Sequence, residues 1–147
     1  MQCQEGEIMA KVLNYGMVGG GPDAFIGDAH RRAISLDESA RLVAGVFSRN
    51  AEKSKKMGEV LHIEEERCYK DYETMALEEA KREDGIDFVV VVTPNASHYE
   101  ICKAFLNAGI HVVCDKPVTT TYEKAVELQK LAEEKSLLFM VTYTYMG

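Results

Sequence analysis

Along the chain, apolar residues gather in short runs that alternate with longer stretches where they fall three or four apart. Residues 11–18 predict a first strand, which ends in glycines. Residues 25–36 predict a helix, with Phe25, Ala29, Ala33 and Leu36 at the spacing of one helical face. A second apolar run at 42–47 fits a buried strand, and 51–61 a helix for which Ser48 or Asn50 can serve as N-cap. Residues 72–82, rich in Glu, Ala and Lys, predict a third helix closed by Asp84-Gly85.

The clearest strand is 86–92, which ends in four consecutive valines. Apolar residues without polar alternation imply burial on both faces, as in a parallel sheet covered by helices. Pro94-Asn95 breaks this strand, and 96–108 predicts a helix stopped by Gly109. A strand at 110–114, a helix at 122–135 and a strand at 137–143 complete the pattern. Strands alternating with helices through short turns specify an α/β fold with a doubly wound parallel sheet. Such sheets bind ligands beyond the carboxyl ends of their strands. Chemistry is therefore expected in residues 19–27, 48–53, 93–98 and 115–117.

Composition narrows the picture. A length of 147 residues fits a single domain, and 46% hydrophobic with 28% charged residues is ordinary for a soluble globular chain. A net charge of -7 argues against nucleic acid or an anionic membrane as partner, while leaving room for a local basic pocket that takes one phosphate. Cys3, Cys68, Cys102 and Cys114 form no C-x-x-C pair and no Cys/His cluster with zinc spacing, so no metal site is expected. They read as reduced, mostly buried thiols of a cytoplasmic protein. Residues 1–10 carry Glu5 and Glu7 without an apolar run, and read as an N-terminal extension rather than a secretory signal. The longest apolar run, Phe88 to Val92, is far too short to span a bilayer.

The first turn, Gly19-Gly20-Gly21-Pro22-Asp23-Ala24-Phe25-Ile26-Gly27, sits where a dinucleotide turn belongs, after a first strand and before a helix. Such a turn needs one glycine for the bend, another where backbone approaches the pyrophosphate, and a small residue where helix meets strand. Gly19-x-Gly21-x-x-Ala24 meets that count, and Gly27 offers an alternative third position on a longer loop. Amides from Ala24, Phe25 and Ile26 at the start of the helix would face the phosphates. No Lys-Ser or Lys-Thr follows the glycines, against a nucleotide-triphosphate loop.

An acid at the end of the second strand would take the adenosine ribose hydroxyls and favour NAD. Here the chain has Ser48, Arg49 and Lys53, whose hydroxyl and cations suit the 2′-phosphate of NADP, so NADP is favoured over NAD. The plainer alternative is a helix cap at Ser48 beside a solvated basic face.

Thr93-Pro94-Asn95 with His98, Gly27-x-x-His30, and above all Ala108-Gly109-Ile110-His111-Val112-Val113-Cys114-Asp115-Lys116-Pro117 resemble the Gfo/Idh/MocA oxidoreductases. That family includes glucose–fructose oxidoreductase and inositol dehydrogenase, and its usual Glu-Lys-Pro stands here as Asp115-Lys116-Pro117. The resemblance runs from about Leu13 to Tyr145. It implies a Rossmann domain followed by a mostly antiparallel substrate domain, and hydride transfer at a sugar or polyol carbon. It places Lys116 beside the nicotinamide as the catalytic lysine, where an ammonium would stabilise a developing alkoxide. It puts Asp115 on the nicotinamide ribose, Thr93, Pro94, Asn95, His98 and Pro117 on the nicotinamide side, and Tyr72 at the adenosine end.

The family's Asp and His acid/base pair belongs to the second domain, so this piece is expected to bind cofactor with little turnover and to self-associate into a homo-oligomer through uncovered apolar surface. Competing readings are a non-catalytic dinucleotide sensor, against which Lys116 argues, and a Rossmann domain for another ligand such as a coenzyme A segment. The small-molecule substrate, a sugar, polyol or diol, is a matter for the second domain.

Overall fold

The computed structural model describes residues 11–143. The extension at 1–10, Cys3 and residues 144–147 lie outside the described residues. Five parallel strands, β1 (Leu13–Gly19), β2 (Ala40–Val46), β3 (Phe88–Val92), β4 (His111–Asp115) and β5 (Phe139–Thr142), pair in the order β2-β1-β3-β4-β5. The chain winds from β1 out to β2, then crosses back to lay β3 on the other side of β1. The order reverses between β1 and β3, which is where a crevice opens in such sheets. Beyond β2 a single parallel bridge joins Gly45 to Cys68, and the Tyr69 amide donates to the Gly45 carbonyl at 2.9 Å.

Helices α1 (Phe25–Ser35) and α2 (Ala51–Val60) cover one face. Their Ile26, Ile34 and Met57 pack with Met17, Phe47 and Val90 of the sheet. Helices α3 (Tyr72–Glu79), α4 (His98–Asn107) and α5 (Tyr122–Glu134) cover the other, with Met75, Phe105 and Leu128 against Val89, Val91 and Val112. Val89, Val90 and Val91 have no exposed surface, as the unbroken valine run implied.

The departures from the sequence reading have local causes. Phe25 and Leu36 are 85% and 86% exposed, so the face of α1 inferred from their spacing is turned to solvent. Gly27 must lie against Gly20, and that contact rotates the helix so that Ile26 and Ile34, both half-buried, pack against the core instead. Helix α3 stops at Glu79 rather than at residue 82, because Glu79 and Asp84 are gathered onto Arg67 and the intervening backbone folds into turns. Residues 95–97 form a 3₁₀ turn ahead of α4. Asn50, not Ser48, caps α2, accepting from the Lys53 amide at 3.0 Å, and Thr121 caps α5.

Candidate functional site

At the carboxyl end of the sheet, between β1 and β3, a cleft of about 680 Å³ opens. Its floor is the glycine turn. Gly19 adopts φ 93°, and a Cβ there would meet the Val92 carbonyl at 2.8 Å, so only glycine allows β1 to end beside β3. Gly27 is buried against Gly20, which makes Gly27 the small residue where helix meets turn. Ala24 is instead the N-cap of α1. It offers no side-chain cap, whereas Asn50, Asp71 and Thr121 cap α2, α3 and α5. The first amides of α1 are thus without a side-chain acceptor, which suits an anion.

One wall is the end of β2. Ser48 Oγ accepts from the Asn50 amide at 3.1 Å, Arg49 is exposed, and Lys53 Nζ lies 3.5 Å from Asp23 Oδ2 across the cleft. The opposite wall carries Lys70, Asp71, Tyr72 and Glu73 at the start of α3, with Thr93 and Pro94 from β3 closing the near end. Asp71 Oδ1 accepts from the Thr74 amide at 2.7 Å, and the Thr74 hydroxyl, followed by this amide, holds the carboxyl below its ordinary pKa. Tyr72 is pushed up to about 12, first by burial and then by the Glu73 carboxylate.

Of the residues picked from the sequence, Gly19, Gly20, Gly21, Ala24, Ser48, Arg49, Lys53, Tyr72, Thr93 and Pro94 line this cleft. Phe25, Ile26, Asn95, His98, Asp115, Lys116 and Pro117 do not. Phe25 points to solvent, Ile26 packs into the core, and Asn95 is exposed in the 3₁₀ turn. Asp115, Lys116 and Pro117 form a separate group at the end of β4. There Thr142 Oγ1 donates to Asp115 Oδ1 at 3.1 Å, and His30 Nε2 stands 3.7 Å from the same oxygen. His30 thus reaches the end of β4. The Lys116–Pro117 peptide bond is cis. His98 has no exposed surface, and its ring joins the two groups by meeting the carbonyls of Thr93 and Pro117.

Two features escaped the sequence reading. Arg31 Nη1 donates to the Gly20 carbonyl at 3.0 Å and so holds the glycine turn from below. The Lys70–Glu73 wall depends on the one-residue bridge at Cys68, too short to show as an apolar run. Its signals were Tyr72, which the resemblance puts at the adenosine end, and the Asp71-x-x-Thr74 spacing of a helix start.

Residues 13–143 match the model of an oxidoreductase family with an NAD-binding Rossmann fold. The chain belongs to that family. It is 47% identical over 141 residues to the uncharacterized oxidoreductase YfiI of Bacillus subtilis (strain 168), covering 95% of this chain and 36% of that protein. The crystal structure of an inositol dehydrogenase homologue from Azotobacter vinelandii, complexed with NADH and myo-inositol, superposes with a TM-score of 0.89 at 42% identity, over 91% of this chain and 35% of that one. The scyllo-inositol 2-dehydrogenase (NADP(+)) IolW of Bacillus subtilis is 43% identical over 65 residues, 44% of this chain and 18% of that protein. The chain spans about a third of the length of the first two. Among the described residues no helix is long and apolar enough to cross a membrane.

Proposed function

We propose that this chain is the cofactor-binding domain of a cytoplasmic oxidoreductase that moves hydride to or from a hydroxyl-bearing carbon of a polyol or sugar. The observation that carries the reading is the continuous cleft from the glycine turn past Ser48–Lys53 and Tyr72 to Thr93, at the point where the strand order reverses. A nicotinamide dinucleotide fits it: its pyrophosphate would meet the uncapped start of α1 at Ala24, Phe25 and Ile26, its adenosine the β2 end beside Tyr72, and its nicotinamide the Thr93 side. When bound, the cofactor supplies or accepts the hydride. Lys116 follows β4, next to β3 in the sheet, and its ammonium would polarise the substrate hydroxyl there. Asp115, held by Thr142, would fix the turn that presents Lys116, and Asn95 and Pro117 would flank the nicotinamide side.

A second domain would supply the acid/base pair and choose among small hydroxylated substrates, so turnover needs the longer protein. Exposed Leu138, Met140 and Tyr143 along the β5 edge provide apolar surface for that domain or for a second subunit. NADP is the preferred cofactor: Ser48, Arg49 and Lys53 would gather on the 2′-phosphate, with Lys53 exchanging its weak partner Asp23 for it. Titration calorimetry with NADP(H) and NAD(H) tests this. Arg49→Ala and Lys53→Ala should each weaken NADP by roughly ten- to a hundredfold, the equivalent of about 1.5–3 kcal/mol for a hydrogen bond to a charged group, and leave NAD unchanged. Equal losses for both cofactors would sink the 2′-phosphate assignment, and no binding by the folded chain would sink the cofactor site.

A further inference from the structure

His98 opens α4 and is completely buried, outside the cleft wall. Its ring is wedged between two turns. Nε2 lies 2.8 Å from the carbonyl oxygen of Thr93, at the end of β3, and Nδ1 lies 2.8 Å from the carbonyl oxygen of Pro117, just past β4. A carbonyl oxygen can only accept, so each ring nitrogen must carry a proton to bond there. A neutral imidazole has one N–H, whichever tautomer it adopts. The neutral ring would leave one nitrogen lone pair facing a carbonyl lone pair 2.8 Å away inside the fold, too close for a water to stand between them. Only the imidazolium satisfies both contacts.

We infer that His98 is held as an imidazolium that clamps the turn bearing Lys116 to the turn bearing Thr93, so that its proton sets the geometry of one side of the cofactor site. The inference rests on the reading that Lys116 and Thr93 flank the nicotinamide. His98 itself touches neither cofactor nor substrate, and acts by positioning.

The groups facing it are few. The Cys114 sulfur lies on β4, with Asp115 and Lys116 after it, and Cys102 is one turn further along α4. Burial alone would lower the imidazole pKa. The Cys114 sulfur and the carbonyls of Pro117 and Thr93 outweigh it and raise the value to about 9. The Cys102 hydrogen bond, and then His98, hold the Cys114 thiol below its ordinary value. The clamp is therefore closed throughout the neutral range and opens as pH passes about 9.

The charge is read directly by nitrogen-15 NMR of the histidine rings of the full chain, titrated from neutral pH to beyond the expected midpoint. The resonances are assigned by their loss in His98→Gln, or by sequential assignment should that variant not fold. Both ring nitrogens of His98 should carry imidazolium shifts at neutral pH and lose them with a midpoint near 9. The amide signals of Thr93, Asn95 and Lys116 should move with the same midpoint. Calorimetric affinity for the nicotinamide cofactor should fall by roughly tenfold across that midpoint, and His98→Gln should be weakened by a similar factor with the pH dependence gone.

An unprotonated ring nitrogen at neutral pH overturns the inference whether or not a cofactor binds. So does an imidazolium whose loss leaves the Thr93 and Lys116 signals in place, or cofactor affinity unchanged. A chain that shows the titration and the coupled amide shifts but binds no dinucleotide would keep the clamp and refute the cofactor site.

Discussion

Replacing Gly27 with Ala tests how the glycine turn is held. In an unconstrained helix this change stabilises the chain, because Ala is favoured over Gly by about 1 kcal/mol. Here the new Cβ would fall well inside 3.0 Å of the Gly20 Cα, 3.3 Å from the Gly20 carbonyl carbon and 3.1 Å from Arg31 Nη1. Carbon atoms rest about 3.5–4.0 Å apart, so one of the two backbones must retreat. Gly20 has little freedom to do so: its φ is 72°, and Arg31 holds its carbonyl at 3.0 Å.

Overpacking of this kind costs about 1–3 kcal/mol. Because the overlap is backbone on backbone, the upper part of that range applies, and subtracting the helix gain leaves a net loss of about 1–2 kcal/mol. For a domain of this size that corresponds to a fall in Tm of roughly 3–8 °C, followed by circular dichroism. Displacing the turn should also weaken dinucleotide binding by at least about tenfold, measured calorimetrically. A Tm equal to or above that of the parent chain would show that α1 does not rest on Gly20, and would return the third small position to Ala24.

Two further substitutions probe the walls of the site. Arg67 is 4% exposed, with Nε 3.0 Å from Glu79 Oε1, and Glu79 also accepts from the Tyr69 hydroxyl at 2.8 Å. Arg67→Ala leaves Glu79 buried without its cation and should cost about 3–5 kcal/mol, seen as a lower urea midpoint at unchanged m; a loss under about 1 kcal/mol would contradict the pairing. Asp71→Ala removes the cap of α3 beside Tyr72 and should cost about 1 kcal/mol at neutral pH. Because the folded Asp71 carboxyl titrates below its ordinary value, that contribution is present above the unfolded pKa of about 3.9 and is lost as pH falls through the folded value, so parent and variant should converge in acid. A gap that persists in acid would assign the loss to something other than the carboxylate.

The legible parts of this fold were those where one physical requirement dominated. Four valines in a row can only serve a strand covered on both faces, and the strand–glycine–helix order placed the floor of the cleft. The periodicity of α1 misled because its apolar positions do not all face the core. Phe25 and Leu36 have the spacing of a buried face, but a backbone contact between Gly27 and Gly20 decides the rotation of the helix, and that contact depends on how the glycine turn folds back, which helical periodicity does not carry. Apart from Tyr72, the Lys70–Glu73 wall was not read from the sequence, for a similar reason. It is set by one bridge between Gly45 and Cys68 and by the turn around Arg67, which carry no hydrophobic period.

The Thr93–Lys116 side of the site shows the same principle from the other direction. A histidine at a helix start, read alone, is a packing or capping residue, and its neighbours in sequence give no reason to think otherwise. What distinguishes His98 is the pair of carbonyls it meets, one 5 residues before it and one 19 residues after. Those carbonyls lie in the turns just past adjacent strands, β3 and β4, so their separation follows from the sheet, and the ring spans it. Ser48, Arg49, Lys53 and Tyr72 come from segments whose side chains reach the cleft directly. On the other side Lys116 stands beyond the lining, and a buried ring holds its turn in place. Substitutions at Ser48, Arg49 or Lys53 should therefore alter one contact at a time, whereas a change at His98 should move Thr93 and Lys116 together.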